Sequence, residues 1–188
     1  MIIKISFFTT VSLFTVVWLL ARAIVWIKNK RIDWKREAML LMMYVNLIVI
    51  MRFVFFPRDL VNGEIRPLVI DMKRLFDQRI NLIPFVKATR YGFKWFIFNY
   101  IGNIALFIPT GVILPIVYKR LDSFWKVTLA GFLISLSVEL LQLLMIYRIT
   151  DVDDLIFNTV GVMIGYGIYA LSKKLITAIR RKQAEKRR

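Results

Sequence analysis

The side chains that could bind a ligand or perform chemistry in this chain are carboxylates, amides and arginines, because the sequence contains no histidine and no cysteine. That composition excludes thiolate and imidazole metal sites, cysteine nucleophiles, serine–histidine triads, histidine proton shuttles and disulfides. The remaining candidates are polar residues that interrupt or border apolar stretches. We predict that they form one ligand-binding site made of Arg52, Asn103, Glu139, Gln142, Arg148, Asp151, Asp153, Asp154 and Asn158.

Glu139 is the strongest candidate in this set, because it is the one acidic residue in a long apolar stretch. A carboxyl group in such a place is either protonated or paired with a cation, and Arg52 and Arg148 are the cations within reach. An ion pair kept only for stability is easily replaced by apolar residues, so we predict a functional role for Glu139.

The three neighbouring aspartates admit a catalytic interpretation. Asp151, Asp153 and Asp154 offer the hard oxygen ligands that Mg²⁺ and Ca²⁺ prefer, and Glu139 would then act as a general acid or base. The catalytic candidates under this interpretation are Glu139, Asp151 and Asp153.

A structural interpretation competes with each of these roles. Thr150 and Asp153 have the spacing of a helix-capping box, and acidic side chains are favourable in the first turn of a helix. Asn103 and Asn158 have equally good reason to form hydrogen bonds between helices. The sequence alone leaves capping, packing and ligand binding open.

Five apolar stretches are long enough to cross a membrane and must position these residues. Apolar residues make up 59% of the chain, above the globular norm of about 45–50%, and the mean hydropathy is +0.63. The predicted spans are residues 5–27, 38–56, 95–118, 127–146 and 155–171. We therefore predict an all-α polytopic membrane protein with one domain over residues 1–172 and a basic tail over residues 173–188.

The second loop, residues 57–94, carries two further patterns. Over residues 67–80 the apolar residues recur three or four positions apart, which predicts an amphipathic helix lying in the membrane interface. Residues 82–85 then either dip back into the bilayer or form a surface turn at Pro84. Both interpretations of that segment remain open.

The distribution of basic residues predicts the orientation of the chain. The short loops carry eight Lys or Arg on one side of the membrane and one on the other, which places the N-terminus outside and the C-terminus in the cytoplasm. The net charge of +16 is then explained by this bias and by contact with membrane lipids, so we expect no nucleic-acid partner. In this orientation all nine candidate site residues converge on the outer leaflet.

The polar motifs, in their order and spacing, resemble the VanZ-like membrane protein family over residues 81–166. The motifs are NLIPF at 81–85, NIALFIPTG at 103–111, ELLQ at 139–142, RITDVDD at 148–154 and NTVG at 158–161. The resemblance implies an integral membrane protein related to one that gives low-level resistance to teicoplanin, a lipid-tailed glycopeptide. It implies no established reaction.

Three hypotheses follow from these residues. We favour a non-enzymatic protein whose outward-facing polar pocket binds a lipid-linked head group of a cell-wall precursor or the lipoglycopeptide itself, with no metal and no cofactor. The alternative is a membrane enzyme that acts on a lipid or glycan head group at the outer leaflet. A transporter is less well supported, because the polar residues crowd one leaflet and inverted repeats are absent from the sequence. The sequence allows a homodimer.

Overall fold

The computed structural model describes residues 2–57, 59–73 and 80–186. Over this part of the chain the α-helices are α1 (Phe7–Asn29), α2 (Trp34–Val54), α3 (Val86–Phe96), α4 (Gly102–Val117), α5 (Phe124–Gln142) and α6 (Val152–Glu185). A π-helical segment, Ile97–Ile101, joins α3 to α4, and a 3₁₀ turn, Lys119–Leu121, follows α4.

Within the described ranges, five helical segments are long and apolar enough to cross a membrane, which confirms the predicted all-α polytopic class and a multi-pass membrane protein. They are α1, α2, the helical stretch Thr89–Val117, α5 and α6. Four of the five predicted spans match a helix of similar length. The fifth helix is longer than its apolar stretch, because α6 continues for 34 residues through most of the basic tail.

Side-chain caps fix where several of these helices begin. The Ser6 hydroxyl accepts a hydrogen bond from the Thr9 N–H at the start of α1, and the Asp33 carboxylate accepts two at the start of α2. Helix α6 begins after Asp151, whose carboxylate accepts the Asp153 N–H. Such caps satisfy N–H groups that have no partner within the helix.

Short strands connect the loops at one end of the bundle. Strand β1 (Ile2–Ile5) pairs antiparallel with β4 (Leu68–Asp71), and β2 (Leu60–Val61) pairs with β3 (Glu64–Ile65). Strand β5 (Ile80–Asn81) pairs in parallel with β6 (Thr150–Asp151). These pairs bring the N-terminus, the second loop and the segment after α5 together at the same end.

The prediction of an amphipathic helix over residues 67–80 is wrong for Leu68–Asp71, which form strand β4. Residues 74–79 of that prediction lie outside the described part of the chain. The strand forms because both of its edges find partners. On one edge lies β1, and on the other the Asp71 N–H donates to the Leu144 carbonyl and the Ile146 N–H to the Val69 carbonyl. Among the described residues of this loop, an amphipathic helix is found at α3.

Helices α4 and α6 form the centre of the bundle and meet backbone to backbone. A Cβ atom at Gly161 would lie 2.3 Å from the Ile104 carbonyl oxygen, and one at Gly165 would lie 2.1 Å from the Ile108 carbonyl oxygen. These contacts show that the two glycines, four residues apart, form a close-packing face. Helix α4 continues through Pro109 and Pro115. The departure from α-helical geometry lies upstream, at Gly92 and in the π-helical segment.

Ion pairs stabilise the opposite end of the bundle. Arg22 of α1 pairs with Glu37 of α2, and Lys173 of α6 pairs with Asp122 at 2.5 Å, in the loop between α4 and α5. The hydrogen bond from Lys173 lowers the pKa of the Asp122 carboxyl group. These contacts connect α1 to α2, and α6 to the loop between α4 and α5, away from the strand pairs.

The tight α4–α6 contact predicts that Gly165→Ala destabilises the protein by about 1–3 kcal/mol, because the added methyl group meets backbone atoms that have no room to move. Gly167→Ala is the matched control on the same helix, since nothing lies within 4 Å of a Cβ atom there. The control should be neutral or stabilise by up to about 1 kcal/mol. Thermal unfolding of the purified protein in detergent measures both effects, and equal Tm values for the two variants would contradict the packing argument.

Candidate functional site

A polar cavity of about 40 Å³ lies near the strand-bearing end of the bundle. Six of the nine predicted site residues line it: Asn103, Glu139, Gln142, Arg148, Asp154 and Asn158. Asn99 of the π-helical segment and Val54 of α2 complete the lining. The cavity is thus built from α2, the π-helical segment, α4, α5, α6 and the segment before β6. Arg52, Asp151 and Asp153 lie outside its lining.

Glu139 connects the end of α5 to the start of α6. Its Oε2 atom accepts a hydrogen bond from the Asp151 N–H at 3.0 Å, and its carbonyl oxygen accepts the Thr150 hydroxyl at 2.9 Å. The other carboxylate oxygen, Oε1, is buried and has no hydrogen-bond partner among the described residues. The Oε2 atom of this carboxyl group therefore holds the start of α6, and the Oε1 atom is available to a ligand.

The amides of the site bond across helices through their nitrogen atoms. Gln142 Nε2 donates to the Val54 carbonyl at 2.9 Å, and Asn158 Nδ2 donates to Ser135 Oγ at 2.9 Å. The carbonyl oxygens of both side chains, Gln142 Oε1 and Asn158 Oδ1, are buried without a partner in the described part of the chain. These amides therefore hold helices together and also line the cavity.

Asn103 completes the cavity from α4. Its Nδ2 atom donates to Asp154 Oδ1 at 2.6 Å, so the amide and the carboxylate link α4 to the first turn of α6. The interhelical role that the sequence suggested for Asn103 is confirmed by this bond.

Both predicted arginines hold the chain where α2 ends. Arg148 Nη2 donates to the carbonyl oxygens of Phe53 and Phe56, at 2.8 and 2.6 Å. Arg52 Nη1 donates to the Pro57 carbonyl at 3.0 Å, and its guanidinium lies over the Phe53 ring. Arg148 also lines the cavity, so its positive charge lies beside the cavity while its guanidinium makes these hydrogen bonds.

Asp151 has three roles at once. Its Oδ1 atom caps α6 by accepting the Asp153 N–H at 3.0 Å, and it also accepts Asn81 Nδ2 at 3.0 Å. Its Oδ2 atom pairs with Lys87 Nζ at 2.5 Å. The aspartate segment does cap α6, as the capping interpretation predicted, but the capping residue is Asp151. The Thr150 hydroxyl bonds instead to the carbonyl oxygen of Glu139.

Asp153 anchors the loop before α3. Both of its carboxylate oxygens accept the Phe85 N–H at 3.0 Å, and Oδ2 also accepts the Tyr100 hydroxyl. Phe85 has a φ of 63°, a left-handed conformation that is uncommon for a residue other than glycine and is held here by the carboxylate. The Phe85 ring packs edge-on against the rings of Tyr100 and Phe157.

The three aspartates thus bond to different partners and do not converge on a common point. Among the residues that the structure describes, no group of three or more Asp, Glu, His or Cys side chains is placed to hold a metal ion. The geometry gives the metal-dependent alternative no specific support. The sequence also gave no indication of Lys87 or Tyr100, since Lys87 is one of eight basic residues in its loop and Tyr100 lies within an apolar span.

An apolar groove of about 740 Å³ runs between α2 and α4 on the outer surface of the bundle. Its one amide, Asn46, is satisfied, because Nδ2 donates to the Leu106 carbonyl and Oδ1 accepts the Thr110 hydroxyl. The groove and the polar cavity lie on neighbouring faces of the same helical segments, since consecutive residues line one and the other. These neighbouring pairs are Phe53 and Val54, Phe98 and Asn99, and Gly102 and Asn103.

Comparison with known proteins agrees with the resemblance in the polar motifs. The chain is 28% identical over 106 residues to Protein VanZ from Enterococcus faecium, a match that covers 56% of this chain and 62% of that protein. The matched region is thus less than two thirds of that relative's length. No solved structure matches the chain. Residues 41–173, well over half of the sequence, match the VanZ/LLP1 family, and the chain therefore belongs to that family.

Proposed function

We propose that the protein protects cells against lipid-tailed glycopeptides such as teicoplanin by binding a lipid-anchored ligand at the outer leaflet. The ligand would be a lipid-linked cell-wall precursor or the drug itself. The observation that carries this proposal is the adjacency of the apolar groove and the polar cavity. A ligand with an acyl chain and a polar head group needs both kinds of surface side by side.

The groove suits an acyl chain. Residues such as Val45, Phe53 and Phe98 line it, and all three are substantially exposed on helices that would be surrounded by lipid. Its volume falls within the range of about 300–1,000 Å³ that is usual for small-molecule sites. Both polar atoms of the Asn46 side chain form a hydrogen bond within the protein. This amide therefore leaves neither atom without a partner beside an acyl chain.

The cavity suits only the tip of a head group in this conformation. A volume of about 40 Å³ holds a few water molecules, so a whole sugar or peptide would remain outside it. Polar atoms of Glu139, Gln142 and Asn158 line that volume. They would bond to the tip of the head group once it had displaced those waters. Specificity would therefore arise from a small group at the end of the ligand, while affinity would come from the groove.

Removing the available carboxylate oxygen should abolish protection. Glu139→Gln keeps the shape of the side chain but replaces one oxygen by an N–H donor, which either faces the cavity or opposes the Asp151 N–H. We expect cells that express this variant to be as sensitive to teicoplanin as cells without the protein. Glu64→Gln, an identical change on the exposed strand β3, should retain full protection. A membrane-inserted Glu139→Gln protein that protects as well as the parent would remove the cavity from the function.

Filling the groove should weaken protection without harming the fold. Gly102 lines the groove, and nothing lies within 4 Å of a Cβ atom at this position. Gly102→Leu therefore places a side chain where the acyl chain would lie. Gly167→Leu is the matched control, because Gly167 is equally open and lies outside the groove lining. We expect the minimal inhibitory concentration of teicoplanin to fall for Gly102→Leu alone, and equal protection by both variants would count against an acyl chain in the groove.

The proposal requires the cavity end of the bundle to face outward, and the absence of native cysteine makes this testable. Tyr147 is exposed in the segment after α5, and Arg120 is exposed in the turn between α4 and α5. Tyr147→Cys and Arg120→Cys therefore each place a thiol at an exposed position. A membrane-impermeant thiol reagent added to intact cells should label the first variant and spare the second. The reverse pattern would place the cavity on the cytoplasmic side and rule out direct action on an extracellular drug.

A further inference from the structure

Three buried hydrogen-bond acceptors line the polar cavity. Glu139 and Gln142 are 3% exposed and Asn158 is 1% exposed, and each has a side-chain oxygen without a partner among the described residues. The three side chains line the same cavity from α5 and α6. Buried polar atoms in folded proteins are nearly always hydrogen-bonded, so this cluster indicates a guest that supplies donors.

The orientation of two amides at the cavity, Gln142 and Asn103, follows from their partners. Gln142 bonds to the backbone carbonyl of Val54, and a carbonyl oxygen can only accept, so the nitrogen must face Val54. Asn103 likewise directs its nitrogen at the Asp154 carboxylate. The oxygen of Gln142 is therefore the atom that remains for a guest, and a guest that only accepts hydrogen bonds, such as a phosphate, would be repelled there.

The ionisable groups that line the cavity are compatible with a cationic guest, because a bound cation favours the charged form of a neighbouring carboxyl group. Two carboxyl groups, Glu139 and Asp154, face one guanidinium, that of Arg148. The Arg148 guanidinium also donates to the carbonyls of Phe53 and Phe56, so its hydrogen-bonding capacity is shared. A guest with a positive charge and several N–H donors would pair with the carboxyl groups and would also donate hydrogen bonds to the three buried oxygens.

We propose that this cavity binds a primary ammonium group, so that the head group of the lipid-anchored ligand carries a primary amine. A primary ammonium has three N–H donors, one for each unpartnered oxygen, and is close to a water molecule in size, which suits a cavity of about 40 Å³. A quaternary ammonium is larger and has no N–H donor. This inference deepens the proposed function, because it names the group that would enter the cavity.

Thermal unfolding of the purified full-length protein tests the proposal. At neutral pH and constant ionic strength, ethanolamine should raise Tm in a saturable manner, whereas choline and Na⁺ should leave it unchanged, because ligands that bind the folded state stabilise it by mass action. A second arm compares protein in vesicles of phosphatidylethanolamine with protein in vesicles of phosphatidylcholine. A rise with ethanolamine in detergent assigns the site to a free amine, and a rise only in the phosphatidylethanolamine vesicles assigns it to a lipid head group.

Either of those rises supports the ammonium site. Equal rises with choline or with Na⁺, or no rise in either arm, would overturn it in favour of an unselective cation site or a water-filled cavity. Glu139→Gln should lose the response, and Asn158→Leu, which removes an acceptor from the facing helix, provides a second test if the first variant fails to fold. Glu64→Gln on strand β3 should respond like the parent.

The two proposals fail in different ways. If Tm does not respond to any amine but Glu139→Gln still abolishes protection of cells, the ammonium assignment is wrong and the proposed function stands. If Tm responds to ethanolamine but the parent protein gives no protection, the cavity binds an amine and the proposed resistance role is wrong.

Discussion

The close approach of α4 and α6 is the constraint on which the rest of the structure depends. Glycine at positions 161 and 165 lets the two backbones touch the carbonyls of Ile104 and Ile108. Only at this separation can Asn103 of α4 bond directly to Asp154, at 2.6 Å, in the first turn of α6. The cavity is therefore a product of helix packing, and α6 contributes Asn158 and Asp154 to its lining, one and two turns before Gly161.

The helices and the convergence of polar residues were predictable from the sequence, and the connections between helices were not. Length and hydropathy are local properties, so each span could be recognised without its neighbours. The conformation of Leu68–Asp71 instead depends on β1, more than sixty residues earlier, and on the backbone near Leu144. A three-or-four-residue apolar spacing in so short a segment does not outweigh two flanking partners. The left-handed Phe85 depends in the same way on Asp153, which is distant in sequence.

A structural role for these polar residues does not exclude a ligand-binding role. Gln142 and Asn158 each use the amide nitrogen to join helices and leave the amide oxygen buried without a partner among the described residues. Glu139 divides its two carboxylate oxygens in the same manner. Residue types alone cannot show such a division, because it depends on which atom of the side chain meets the neighbouring backbone. This explains why the sequence could point to these residues but left the role of each one open.

The length of α6 has a mechanical consequence. The helix is continuous from the residues beside the cavity to Glu185, and 34 residues at about 1.5 Å each make a rod about 50 Å long. The hydrocarbon core of a bilayer is about 30 Å thick, so the far end of this rod extends well past the lipid. A rigid helix of this length converts a tilt of about 5° at the cavity into a displacement of about 4 Å at its basic tip. The position of that tip is therefore sensitive to small changes in packing beside the cavity.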